Sequence, residues 1–272
     1  MSFNKNSLEY ERYLKNVKQR KIKIFITQIL LLILFFVLWQ VLADNNIIST
    51  FLFSKPSDIY KLFIAYTLSG ELFKHVWISV YETLIGLIIG SVAGIIIAII
   101  LWWSETVAKV LDPFLVVLNA LPKTALAPII IVWEGAGVEG IVVTAIAISI
   151  VITILSAYNY FTNMDEEKIK MLKSFGATKS QILFKLILPG NIGNLINLTK
   201  INIGMAWVCV IVGEFLVSRY GIGYLIVYGS QVFKLDVVMM GVFVLGVCAW
   251  GMYEIVNLIE KFYYYRQKRI KG

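Results

Sequence analysis

The sequence contains one histidine, two cysteines and few charged residues, and each scarcity removes a class of function. His75 stands alone at the polar edge of an apolar run, so a histidine-based metal centre or catalytic triad has no partners to draw on. Cys209 and Cys248 lie inside apolar runs and read as small hydrophobes. They suggest neither a disulfide framework nor a metal site. No Gly-x-x-x-x-Gly-Lys-Ser/Thr loop occurs, so the chain has no such means of cradling a nucleotide phosphate. No nucleophile–base set appears either. Charged residues make up only 15% of the 272, against 59% hydrophobic. A soluble domain cannot hide so much apolar surface.

What is present is a series of long apolar runs. Six can span a bilayer, at about 23–43, 76–103, 110–133, 138–161, 196–217 and 237–259. Each reaches roughly 20 residues, enough for a hydrocarbon core of about 30 Å. Backbone N–H and C=O groups must be paired within lipid, so the expected fold is an all-α membrane protein of six transmembrane helices. The first run is too long for a cleavable signal, has no small-residue cleavage site after it and is preceded by about twenty residues. The chain divides into a basic amphipathic tail (1–22), a transmembrane part (23–260) with an interior charged loop (162–190), and a second basic tail (261–272). Lys and Arg crowd both tails and that loop, so the positive-inside rule puts all three in the cytoplasm of a multi-pass membrane protein. The net charge of +8 therefore reads as topology and lipid attraction, with no nucleic-acid partner. Tyr10, Tyr13, Leu14 and Val17 recur at helical spacing, so the first tail is expected to lie along the inner surface.

Two features stand out. Gly86, Gly90 and Gly94 place a small residue every fourth position, which lets another helix approach closely. The loop "EEKIKMLKSFGATKSQILFKLILPG" predicts a helix capped by Asn163, with Asp165, Glu166 and Glu167 in its first turn. Ile169, Leu172 and Phe175 form its apolar stripe. Gly176 suits a left-handed helix end, Thr178 and Gln181 restart a helix as a capping box, and Pro189-Gly190 is expected to end it. The loop is then either an interfacial helix on lipid or a docking element, with Leu172 and Phe175 as anchors.

Gly176, Leu188 and Pro189 match, at the required spacings, the cytoplasmic-loop motif of binding-protein-dependent ABC importer permeases, with Leu186 for the motif's Ile and Lys170-Met171-Leu172 for its Glu-Ala-Ala. "LDPFLVVLNALPKTALAPIIIVWEGAG" and "GEFLVSRYGIGYLI" resemble the sulfonate, taurine and nitrate permease group, with Glu134 where that group usually has an aromatic residue. The resemblance covers about 75–260. It implies a type I importer permease, a homodimer that receives two cytoplasmic ATPase subunits on its short loop helices and a small anionic solute from an extracellular or periplasmic binding protein. It further implies that ATP and magnesium belong to the ATPase and that this chain holds no cofactor.

The third span is expected to break near Pro122, since a residue before proline is pushed out of helical geometry. Thr124 is read as the cap of a second half-helix and Pro128 as part of its first turn. Asn119, Pro122, Lys123, Thr124, Pro128 and Glu214 are the expected path residues; the bland alternative has Lys123 pairing with Glu214 or snorkelling. The rival class is an ion-coupled secondary transporter. It would call for internal repeats and midplane carboxylates, and the sequence offers no repeat and Glu214 as its one embedded acid.

Overall fold

The computed structural model describes residues 8–271, and every element among them is helical. The chain divides into two units, with the boundary between Ile64 and Ala65.

In the first unit, α1 (Leu8–Asp44) runs without interruption through the basic tail and the first apolar run. The stretch contains no Gly or Pro to stop it, so the tail and the span form one helix. The end of α1 is tied to the segment around Lys55 and Ser57. The Ser57 N–H donates to Gln40 Oε1 at 3.1 Å, and Lys55 pairs with Asp44 at 3.5 Å. The short α2 (Thr50–Phe53) lies between them, and α3 (Pro56–Leu68) crosses the unit boundary.

The second unit is built on α4 (Glu71–Trp103) and α7 (Val138–Thr162). Helix α4 is inside-out by soluble standards. Its buried stripe carries Ser79, Glu82, Thr83, Gly86, Gly90, Ser91 and Gly94, while Trp77, Ile88, Val92 and Ile96 face outward. In lipid an apolar exterior needs no cover, and close packing of small residues replaces hydrophobic burial as the contact between helices. The three glycines meet α7. A Cβ added at Gly86 would lie 2.5 Å from Ala145 Cβ, one at Gly90 2.7 Å from Ser149 Cβ, and one at Gly94 2.5 Å from Thr153 Cβ.

Helix α5 (Glu105–Ala120) and α6 (Lys123–Glu134) take the place of one straight third span, meeting at a bend of 101°. Leu121 turns to ψ 138° ahead of Pro122, as the proline ring requires. Two expectations are corrected here. Pro122, not Thr124, holds the cap position of α6, without a side-chain cap bond. Pro128 lies inside the helix, one turn further along than expected, because α6 begins at Lys123.

A loop with α8 (Glu166–Ser174) and α9 (Lys179–Ile182) leads through a π turn (Leu183–Ile187) into α10 (Leu188–Val217). Pro189-Gly190 therefore does not end the helix. The widened turn closes with the Leu188 N–H on Leu183 O, and Pro189 sits in the first turn of α10, where a missing N–H is tolerated. Helix α10 joins the α4–α7 seam through Asn202, whose Nδ2 donates to Ser91 Oγ at 3.2 Å and to Thr153 Oγ1 at 2.7 Å. After a tight loop come α11 (Ile222–Gln231) and α12 (Leu235–Lys271). Lys200 of α10 pairs with Glu260 of α12 at 2.5 Å. Among the described residues, five helices are long and apolar enough to cross a membrane, and the bent α5–α6 pair brings the number to six when it is counted as one broken span.

Gly90→Leu should force α4 off α7. Overpacking of this kind costs about 1–3 kcal/mol, so the melting temperature in detergent should fall. Gly246→Leu, where an added Cβ meets nothing within 4 Å, is the matched control and should leave it unchanged. Equal melting of the two variants would show that the seam does not hold the bundle.

Candidate functional site

The charged loop is built by its caps. Asp165, not Asn163, caps α8: its carboxylate accepts the Glu167 N–H at 3.0 Å, while Asn163 closes the preceding helix α7. That bond, together with Lys168 at 3.3 Å, holds the Asp165 carboxyl below the usual carboxylate range. Glu166 is held low by Lys170 at 2.9 Å. Both acids are thus ionised at neutral pH, where a negative charge suits a helix N-terminus, and acidification would weaken this first turn.

At the other end, Gly176 takes φ +77°, and the N–H groups of Gly176 and Ala177 close on Lys173 O at 2.9 Å and Leu172 O at 3.0 Å. This Schellman-type closure needs a left-handed residue, which Gly supplies without strain. The chain then restarts through a full capping box. The Gln181 N–H donates to Thr178 Oγ1 at 3.3 Å and the Thr178 N–H to Gln181 Oε1 at 2.8 Å.

The stripe expected on α8 splits in two. Ile169 and Leu172 turn inward and pack against a core of Phe161, Ile182, Leu183, Ile187 and Leu198. Leu172, half-buried, is therefore an internal anchor of the loop. Phe175 is 81% exposed and Met171 53% exposed. Helix periodicity identified an apolar face, but it could not say that two of its three members were needed at home. Lys179 fixes the loop to the body of the unit. Its Nζ donates to Trp103 O at 2.7 Å, at the carbonyl end of α4 where a cation is favoured, and lies over the Trp102 and Trp103 rings at 5.6 and 5.8 Å. Beneath the loop is a cavity of about 430 Å³ that includes Ile169, Lys173 and Lys179 in its lining. Gly176 and Pro189 are exposed, and Leu188 is half-buried.

The other sequence-designated residues are dispersed. Asn119, Pro122, Thr124 and Pro128 are exposed on α5, the bend and α6. The side chain of Lys123 lies outside the described residues. Glu214 is 1% exposed and turned into the unit. Ser79 Oγ donates to Glu214 Oε1 and the Gly223 N–H to Oε2, both at 2.5 Å. Ser79 Oγ also accepts the Ile222 N–H at 2.8 Å, and the Gly221 N–H lies 3.0 Å from His75 Nδ1. Gly221, at φ +113°, leaves no space for a side chain, since an added Cβ would strike the Glu214 carboxylate. Sequence reading missed Glu82, one turn along α4 from Ser79 and 0% exposed. A single acid inside an apolar run shows its neighbour only once α10 is laid beside it.

A seam of glycines, a bent third crossing and a capped loop between two crossings are features of a membrane permease. Residues 90–269 match the model of the binding-protein-dependent transport system inner membrane component family. The chain belongs to that family. Among its relatives, the Bacillus subtilis protein SsuC, named as an aliphatic sulfonates transport permease, is 28% identical over 82% of this chain and 81% of its own. The Escherichia coli taurine transport system permease protein TauC is 22% identical over 78% of this chain and 79% of its own. In fold, the permease superposes on a chain of the inward-facing MetNI methionine ABC transporter with a TM-score of 0.62, at 16% identity over 72% of this chain and 97% of that one. The corresponding TM-score for an alginate importer chain is 0.63, at 13% identity over 92% and 98%. The permease is thus a multi-pass inner-membrane transport subunit of an ABC importer, with the type I permease fold, and not itself an enzyme. The secondary-transporter alternative falls. The matched stretch contains α8 and Glu214 but begins beyond Glu82.

Thr178→Ala in the permease should remove one of the two reciprocal cap bonds, at about 1 kcal/mol. Hydrogen exchange of the α9 amides should speed up roughly five-fold by that measure, with the rest of α10 unaffected. Unchanged exchange at 179–182 would mean that the box does not hold the loop.

Proposed function

We propose that the permease acts as a homodimer whose α8 segments each receive a cytoplasmic ATPase subunit, and that it passes a small sulfonate or related oxyanion handed over by a binding protein on the outer face. The observation that carries this reading is the construction of α8. Caps at both ends and two inward anchors hold a nine-residue helix rigid, and what it presents outward is Phe175 and Met171. An aromatic ring so exposed in an otherwise polar loop marks a contact surface, and buried aromatic anchors dominate small interfaces. Glu166, Gly176, Leu188 and Pro189 frame that surface and hold its shape. The charge distribution supports a cytoplasmic position for both termini and the loop, because Lys and Arg concentrate in these three regions.

The names of relatives support the choice of anion, and so does the bend at Pro122. The start of α6 places backbone N–H groups and Lys123 together at a break in a membrane crossing, chemistry that favours a passing anion. Asn119, Thr124 and Pro128 flank that break. ATP and magnesium are assigned to the ATPase, and this chain is assigned no cofactor. One relative 27% identical over 62% of this chain is named a formylaminopyrimidine transport permease protein, so the substrate class rests on more than fold and is tested on its own.

Reconstitution in liposomes with the ATPase and binding protein separates the parts. Phe175→Ser combined with Met171→Ser should reduce ATPase co-purification by about ten-fold or more, the equivalent of 1.4 kcal/mol, and abolish coupled uptake at an unchanged melting temperature. Leu172→Asp should lower the melting temperature itself. If the double variant keeps the ATPase and transports normally, α8 is not the docking site. If ATP-driven uptake of sulfonates is absent while another solute is carried, the anion assignment is wrong and the docking assignment stands.

A further inference from the structure

Glu82 and Glu214 lie together inside the second unit, on α4 and α10, in a region the rest of the chain keeps dry. Their situations differ. Glu214 has both oxygens occupied by donors: Ser79 Oγ on Oε1 and the Gly223 N–H on Oε2, with the Tyr224 N–H also directed at it. Glu82 receives no N–H or O–H on either oxygen. It stands one turn along α4 from Ser79, whose Oγ is bonded to Glu214 Oε1, and among the described residues the one ionisable group acting on it is Glu214. No described Lys, Arg or His forms an ion pair with either acid.

Two carboxylates in contact and out of water cannot both stay ionised. Something must neutralise one of them. A metal ion would need further ligands and space. The described residues contain no cluster of three or more metal-ligating side chains, and the glycine backbone of the adjoining 218–223 loop is pressed against the site, with a Cβ at Gly223 falling 2.7 Å from Glu214 Oε2. A proton needs no space. Its place is also determined: donors already favour the anion on Glu214, whereas nothing favours an anion on Glu82.

We propose that Glu82 and Glu214 form a buried proton-binding site, in which Glu82 holds the proton and donates it to Glu214. That bond completes a joint running from the Ile222 N–H through Ser79 to Glu214 and on to Glu82. It fastens the 218–223 loop and the start of α11 to α4. Loss of the proton sets two anions against each other at this joint and loosens the loop. No other titratable group faces the pair among the described residues. From α4, His75 contacts Gly221 and neither carboxyl. From α11 come backbone N–H groups, and α7 meets α10 at this level through Ile141 against Gly213. Glu71, Lys74 and Arg219 line a cleft of about 600 Å³ on the far side of His75.

The pH dependence has a definite sign. The folded chain keeps a proton that an unfolded glutamate releases above about pH 4.3, so the folded state binds more protons and stability falls as pH rises. The test uses the full chain in lipid nanodiscs. Infrared spectra at neutral pH should show a protonated-carboxyl C=O band that shifts in heavy water and disappears in Glu82→Gln. The melting temperature of the wild type should fall by at least about 2 °C between neutral and alkaline pH. Glu82→Gln should melt like the wild type at neutral pH, since its amide donates in place of the proton, and should lose that pH slope. A wild-type spectrum without the band overturns the proposal and needs no variant. So does a pH slope unchanged in Glu82→Gln, which would belong to another group. A band that appears only after Lys123→Met also overturns it, because the lysine would then have been the neutralising group.

Discussion

The contact between α4 and α7 is the constraint on which the rest of the second unit depends. Within lipid there is no hydrophobic drive to bring two apolar helices together, so association depends on how closely they can pack. Gly86, Gly90 and Gly94 remove the side chains from one face of α4, and Ala145, Ser149 and Thr153 supply matching small residues on α7. Of the hydroxyls at this seam, the buried Ser149 Oγ has no hydrogen-bond partner, whereas Thr153 is fully engaged. Thr153 Oγ1 donates to Ser149 O at 2.7 Å within its own helix, and it also accepts from Asn202, which brings in α10. Once α4 and α7 are fixed at this spacing, α10 has a single groove to occupy.

Helix α10 then ties the two ends of the unit together. From Lys179 to Val217 the chain is one continuous helical body of 39 residues, entered from the capped loop and leading into the 218–223 loop. Its loop end is held by Lys179 on the carbonyls of α4 and by Ile169 and Leu172 in the core. Its other end is held by Glu214 on Ser79 and Gly223. The π turn before Pro189 preserves this continuity. It carries the chain past the missing N–H of Pro189 without ending the helix.

The amino-acid pattern makes some of this legible and hides the rest for definable reasons. Hydropathy finds the six crossings because chain length across lipid is fixed by geometry. The breaks and caps at Pro122, Gly176 and Thr178 can be read because each depends on one or two adjacent residues. The misreadings concern relations between segments. Leu172 reads as one member of an apolar stripe, and its packing on the core of Phe161 and Ile182 shows only once those helices arrive. Thr124 looks like a cap because hydroxyls usually are, yet the cap falls two residues earlier, at Pro122. Pro189 looks like a stop because the π turn that accommodates it has no local signature. Glu82 looks incidental because its meaning lies in Glu214, 132 positions further along the chain.

Polar groups inside such a bundle do what apolar packing cannot. Side chains of similar size slide past one another along a helix axis at little cost, so a seam of small residues sets distance more firmly than register. A hydrogen bond across the same seam sets register, because in hydrocarbon the displaced donor has no water to turn to. The second unit has three joints of this kind on α10: Lys200 with Glu260 of α12, Asn202 with Ser91 and Thr153, and Glu214 with Ser79 and the glycine loop. The first faces α12, the second α4 and α7, and the third α4 and the glycine loop. Two joints lie close together on α10 and the third twelve residues further along, so a shift of α10 along its axis would break all three together. The bundle is therefore built to resist sliding of α10 against its neighbours.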